Sequence, residues 1–234
     1  GINPNCVFVP YPDNHNLVYL FTINSDSASG LKYSVIDLSN NEAELIEKNV
    51  LVTKSGHDRL AAVHHCNGND YWLIFHAYDS LSFESYLIES NGISRTPVIS
   101  PSPISDVNNL GPLKFSPGGS RLLVPVNMGN ILAAVYEFDK QSGELSPLSN
   151  ICRKPYTYVC GVSFSPSGHF LYLTTGGSFY ELLQYDLSAI TEGALNQSKV
   201  LISSGNLYGL QLAIDGHIYI SKMNSSYLDR IEKP

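Results

Sequence analysis

Residues able to do chemistry cluster at a few places along this chain. Gly56-His57-Asp58-Arg59 sets a base, an acid and a cation side by side, and His64-His65-Cys66 strings together three residue types that bind zinc. Three further histidines, His15, His169 and His217, stand at corresponding turns. A second kind of cluster is polar and aromatic: Asn108 with Asn109, Tyr156 with Tyr158, and Asn206 with Tyr208. Aromatic faces stack on the apolar face of a ligand while amides and hydroxyls hydrogen-bond it, so these groups suit a polar ligand such as a sugar.

Zinc chemistry is the weaker reading. On a strand alternate side chains point to opposite faces, so only His64 and Cys66 share a face, and two ligands do not make a site. Equivalent turns on facing sheets lie roughly 10 Å apart, too far for His15, His169 and His217 to hold one ion. No metal and no cofactor is expected. Thr174-Thr-Gly-Gly-Ser178 and Asn127-Met-Gly-Asn130 read as turns after strands rather than phosphate cradles, and no Gly-x-Ser-x-Gly elbow occurs. Asn196-Gln-Ser and Asn224-Ser-Ser match the glycosylation pattern, as expected by accident in an Asn- and Ser-rich chain.

What must position these residues is a repeat. Gly111-Pro-Leu-Lys-Phe-Ser-Pro-Gly-Gly-Ser, Gly161-Val-Ser-Phe-Ser-Pro-Ser-Gly-His and Gly209-Leu-Gln-Leu-Ala-Ile-Asp-Gly-His say nearly the same thing, with leading glycines 50 and 48 residues apart. Each is an apolar run, a tight turn and a second run rich in Leu, Tyr, Val and Ile, which is a β-hairpin. Gly118-Gly119, Ser167-Gly168 and Asp215-Gly216 supply the positive-φ positions of the turns. Two weaker copies lie upstream, around the turns Asn67-Gly68-Asn69-Asp70 and Pro12 to Asn16, so that Val9, Val63, Phe115, Phe164 and Leu212 are spaced by 54, 52, 49 and 48 residues.

A third run in each period ends in an acid, at Asp37, Glu89, Asp139 and Asp186, and an outer run such as Leu51-Val-Thr, Val98-Ile-Ser or Val200-Leu-Ile-Ser closes it. Four antiparallel strands per fifty residues make the blade of an all-β propeller, in the size range of kelch blades; no Trp-Asp dipeptide supports the WD40 subclass. The blades run over about 5–54, 55–104, 105–153, 154–204 and an incomplete 205–234 of one propeller domain, 1–234. Ala189 to Ser198, with its Thr, Gly and Asn, reads as a long loop. Tyr227-Leu-Asp-Arg-Ile supplies a third strand without a fourth, so the expectation is a segment of a six- or seven-bladed ring, with a ring closed by the two terminal strands as the alternative.

Composition agrees. Only 15% of residues are charged and 43% are hydrophobic, with fifteen tyrosines, which suits sheets packed on both faces. The net charge of −7 with scattered basic residues speaks against nucleic acid and against an anionic membrane surface. No membrane span is visible, and no signal peptide; any targeting segment is expected to lie outside the chain. Cys6, Cys66, Cys152 and Cys160 allow three full pairings; a Cys152 to Cys160 bridge is one reading and free buried thiols the blander one.

The runs Val9-Pro-Tyr-Pro to Tyr19-Leu-Phe-Thr22, Gly30-Leu-Lys-Tyr-Ser-Val-Ile-Asp37, Arg59-Leu-Ala-Ala-Val-His-His-Cys-Asn-Gly-Asn-Asp-Tyr-Trp72, Phe115-Ser-Pro and Tyr208-Gly-Leu-Gln-Leu-Ala to Tyr227-Leu resemble the propeller region of large cell-surface proteins of gliding bacteria. Such proteins commonly carry a type IX secretion sorting domain. The resemblance covers most of the chain and implies an exported, extracellular or cell-surface module; it carries over no catalytic residue. The leading reading is a non-enzymatic binding or scaffolding propeller that recognises a protein or carbohydrate through its loops; because the loops entering the inner strands of a propeller crowd its channel, His57, Asp58, Arg59, Asn108, Asn109, Tyr156, Tyr158, Asn206 and Tyr208 are expected at the channel rim. The alternative is a lactonase-like hydrolase, because the Phe-Ser-Pro-x-Gly hairpin also resembles that superfamily. Asp58, Asp106 and Asn109 would then be the groups nearest a channel metal.

Overall fold

The computed structural model describes residues 6–23, 30–40, 42–54, 59–77, 81–102, 112–188 and 191–234. They form five antiparallel sheets, each built from consecutive strands. The first holds β1 (Cys6–Tyr11), β2 (Asn14–Ile23), β3 (Leu31–Asp37) and β4 (Glu44–Thr53). In the second, β5 (Leu60–His64), β6 (Tyr71–Ala77) and β7 (Ser82–Glu89) are closed along one edge by β8 (Gly92–Ile93) and β9 (Val98–Pro101), which both pair with β7. The third holds β10 (Lys114–Phe115), β11 (Arg121–Met128), β12 (Ile131–Phe138) and β13 (Leu145–Cys152). The fourth holds β14 (Thr157–Phe164), β15 (Phe170–Gly177), β16 (Glu181–Asp186) and, after the short helix α1 (Glu192–Gln197), β17 (Val200–Ser204). The fifth holds β18 (Leu207–Leu212), β19 (Ile218–Lys222) and β20 (Asp229–Ile231).

The repeated turns explain the repeated residues. Gly119, Gly168 and Gly216 sit at φ +76°, +72° and +80°, and each donates its N–H to the carbonyl three residues back. The Ser of each Phe-Ser-Pro accepts the N–H that starts the next strand: Arg121 N to Ser116 Oγ at 3.2 Å and Phe170 N to Ser165 Oγ at 3.0 Å. The acids that end the third strands do the same one turn later. Asp37, Asp139 and Asp186 accept the N–H two residues ahead at 2.7, 2.8 and 2.8 Å; their carboxyls are lowered, by the hydroxyls of Ser39 and Ser188 first at Asp37 and Asp186 and by the Gln141 N–H first at Asp139.

Two local expectations are corrected. The first hairpin turn is shorter than the Pro12 to Asn16 turn read from sequence, because Asp13 adopts φ +61° and β2 begins at Asn14. The segment read as a loop contains α1, which is held by burial of Leu195 and by Asn196. The Asn196 amide donates to Asn150 O and accepts from Cys152 N, both at 2.8 Å, so this acceptor-pattern Asn latches α1 to β13.

The described residues fall into two compact units: 6–102 with 138–145, and 112–137 with 146–234. In the first, Val9, Tyr19 and Phe21 of the first sheet pack with Leu60, Leu73, Phe75 and Tyr86 of the second. In the other, the fourth sheet is buried on both faces: Leu171, Leu173, Leu183 and Tyr185 face Leu123, Val135 and Ile151, while Tyr172 and Leu182 face Leu207, Leu210 and Ile220. Alternation along the strand sends neighbours to opposite faces, which is why apolar residues stand side by side at Leu171-Tyr172-Leu173 and Leu182-Leu183. The outer strand β17 is exposed throughout.

Candidate functional site

His57, Asp58, Asn108 and Asn109 of the expected rim, and Asp106 of the hydrolase reading, lie outside the described residues. Arg59 precedes β5 and is wholly buried, so its guanidinium is not offered to solvent. The remaining four, Tyr156, Tyr158, Asn206 and Tyr208, all belong to the unit that holds the fourth and fifth sheets.

There the structure brings them together through three connections. Residues 153–156 lead into β14, 178–180 join β15 to β16, and 205–206 lead into β18. Ser178 N donates to Tyr156 O at 3.1 Å, Gly205 N donates to Tyr180 O at 3.0 Å, and Met223 N donates to Asn206 O at 2.9 Å. Backbone bonds in series thus stitch the loops at this end of the sheets into one surface.

The first connection is pinned from within. Arg153 Nε donates to Thr157 O at 2.6 Å, and Thr157 Oγ1 donates to Lys154 O at 2.7 Å. This geometry leaves Tyr156 at φ +58° with 81% of its surface exposed. Gly177, at φ +94°, packs against the Tyr156 carbonyl where a β-carbon would collide.

Groups that the sequence reading did not single out gather around the second connection. Lys154 Nζ meets both carboxylate oxygens of Glu181, at 2.8 and 2.9 Å, and sits 5.0 Å above the Phe179 ring. Thr175 Oγ1 donates to Phe179 O at 2.9 Å and accepts from Glu181 N at 3.2 Å, so one buried hydroxyl fixes both residues. Phe179-Tyr180, one residue after the glycine pair Gly176-Gly177, was the available signal. Read as a turn after β15, Thr174-Thr-Gly-Gly in fact lies inside the strand.

Tyr158 lies behind this surface, its ring in the space that Gly176 leaves by having no side chain. Burial raises its phenol, aided by Cys160, Tyr208 and Tyr180, with a hydrogen bond to Tyr180. It therefore stays a protonated donor. Burial also pushes the Cys160 thiol up to about 11.

Among the described residues, no three His, Cys, Asp or Glu side chains gather as a metal set. His64 packs tilted against Tyr71 with ring centroids 4.4 Å apart, whereas Cys66 Sγ lies 3.7 Å from His65 Nδ1. The strand ends at His64, so the expected pairing of His64 with Cys66 on one face does not arise. His217 places its Nδ1 and Nε2 3.3 Å from Asp215 and 3.4 Å from Glu232. All four cysteines are free; Cys160 is buried, and Cys6, Cys66 and Cys152 are exposed, against the expectation of buried thiols.

No protein-family profile and no curated protein sequence matches this chain. Solved structures do match. A putative 6-phosphogluconolactonase of Bacteroides fragilis superposes with a TM-score of 0.57 at 11% identity, over 93% of this chain and 67% of its own. The periplasmic gluconolactonase of Pseudomonas aeruginosa gives 0.54 at 16%, over 91% and 62%, and the β-propeller domain of Cps50 from Myceliophteria thermophila gives 0.50 at 11%, over 93% and 66%. The fold is a β-propeller. The chain spans roughly two thirds of the length of these propellers, and identities this low show the fold alone. On a propeller the stitched loops form one end of neighbouring blades, the usual place for ligands on such repeats.

Proposed function

We propose that this propeller is a non-catalytic binding module of an exported bacterial surface protein, recognising a protein or glycan through the loop end of its blades. The observation that carries this reading is Tyr156, a highly exposed aromatic held in the left-handed region by the bonds within its own turn and by the bond from Ser178 N to its carbonyl. A bulky residue in that conformation costs on the order of 1 kcal/mol or more, and a fixed, displayed ring saves the ordering cost on binding. Export, a type IX sorting domain and residence on the cell surface rest on the sequence resemblance to surface proteins of gliding bacteria.

The lactonase-like reading is supported by the likeness of the fold to a putative 6-phosphogluconolactonase and a periplasmic gluconolactonase. Its groups would be Asp58, Asp106 and Asn109. One experiment separates the two: purified protein is passed over immobilised polysaccharides and outer-surface proteins, and assayed with a gluconolactone with and without added divalent ions. Retention without turnover supports the binding module. Ion-dependent turnover overturns it.

A further inference from the structure

Resting on that binding reading, we infer that the surface around Tyr156 takes a neutral polysaccharide, one pyranose stacking on the Tyr156 ring while the Lys154 and Glu181 pair hydrogen-bonds its hydroxyls. The argument begins with charge. Lys154 would attract an anion, but both oxygens of Glu181 already hold it at 2.8 and 2.9 Å and Phe179 lies beneath it. An anionic ligand would have to break that pair, and a cationic one would meet Lys154. A sugar hydroxyl both donates and accepts, so it can join the pair without displacing either partner: the ammonium donates to it and the carboxylate accepts from it.

The aromatic groups point the same way. Tyr156 is 81% exposed and Phe179 46%, on two turns joined by the bond from Ser178 N to Tyr156 O. On the connections stitched together here Pro155, Ser178 and Asn206 are exposed, and Tyr180 and Tyr208 are part-buried. Open aromatic faces with hydroxyls and amides around them fit the alternating apolar and polar faces of a pyranose. Fixing both turns through Thr157 and Thr175 lowers the ordering cost for a weakly held, repetitive ligand.

The test is retardation of the purified protein in native gels containing, one at a time, a β-1,3-glucan, a hydroxyethyl cellulose, a mannan, a galactan and, as the charged control, alginate. The expected result is retardation by at least one neutral polymer, unchanged by 0.5 M salt, and reduced at least tenfold in affinity by Tyr156→Ala but less than threefold by Tyr156→Phe. Tyr156→Gly guards against misfolding. It relieves the positive φ, so it should raise the melting temperature while abolishing retardation. Retardation by alginate alone, by none of the neutral polymers, or equally in Tyr156→Ala overturns the inference. If instead a protein ligand is retained and Tyr156→Ala releases it, the ligand class is wrong and the binding module stands; ion-dependent lactone turnover sinks both.

Discussion

Gly161 of β14 lies against the backbone of Tyr208 in β18, so close that a β-carbon there would stand 2.5 Å from the Tyr208 carbonyl oxygen and 2.7 Å from Leu210 N. The same carbonyl accepts the hydroxyl of Thr174 from β15. Two sheets therefore meet backbone to backbone at a position where only glycine fits. Gly161→Ala must force the strands apart and should cost about 1–3 kcal/mol. Gly118→Ala, in a turn where a β-carbon meets nothing within 4 Å, is the matched control and should stay within about 0.5 kcal/mol of the parent. Urea unfolding of the two variants reads the difference; equal midpoints would dismiss the close approach.

That contact marks where sequence reasoning stopped. The period, the four-strand units and the turn glycines were all visible, because alternation and positive-φ turns leave local signatures. Gly161 and Gly209 were equally visible as repeats, yet their reason is not local: each lies against groups from another strand, Gly161 against Tyr208 and Gly209 against Ser221. The site follows the same rule. Tyr156 and Tyr158 could be read as loop aromatics, but Lys154 and Glu181 are 27 residues apart and meet only because adjoining connections fold onto one end of the sheet. Leu195 and Asn196 gave α1 too short a periodic stretch to be read as a helix, and its latch to Asn150 and Cys152 is again non-local.

The protein's only tryptophan offers a second test. Its indole Nε1 donates to Lys140 O at 2.9 Å, and Gly143, at φ +79°, closes over the ring so that a β-carbon would stand 2.6 Å from it. Gly143→Ala combines a strained φ with displacement of a buried ring and should cost about 2–3 kcal/mol. Because no other Trp contributes, the emission of Trp72 should shift to the red and its near-ultraviolet circular dichroism should weaken. An unshifted spectrum would mean that the 139–143 turn does not hold the indole.

Alkaline stability should depend on Cys160. Burial lifts its thiol from 9.0 to about 11, so between those values the unfolded chain loses a proton that the folded protein keeps. The unfolded state then binds fewer protons, and stability falls as pH rises through that window, by on the order of 2 kcal/mol from this group at its end. The difference in unfolding free energy between parent and Cys160→Ala, followed from pH 8 to 11, should shrink accordingly. A thiol reagent should meanwhile modify Cys6, Cys66 and Cys152 in the native protein and reach Cys160 only on unfolding. A difference that stays level with pH would contradict the burial argument.

The binding surface should also depend on a residue that no ligand touches. Thr175 is 2% exposed, and its hydroxyl spans the turn between Phe179 O and Glu181 N. Valine has nearly the same shape and suits a strand, so Thr175→Val removes both hydrogen bonds while keeping the packing. The stranded carbonyl and amide should cost about 1–3 kcal/mol. The loss is local, so amide exchange at Glu181 should accelerate far more than at Leu183, whose strand pairing is unaffected. Freed from its anchor, Glu181 should no longer hold Lys154 in register with Phe179, and affinity for whatever the surface binds should drop severalfold at unchanged stoichiometry. Uniform acceleration along β16 would show that the hydroxyl supports the sheet as a whole rather than the turn, and unaltered affinity would show that the ion pair needs no such support.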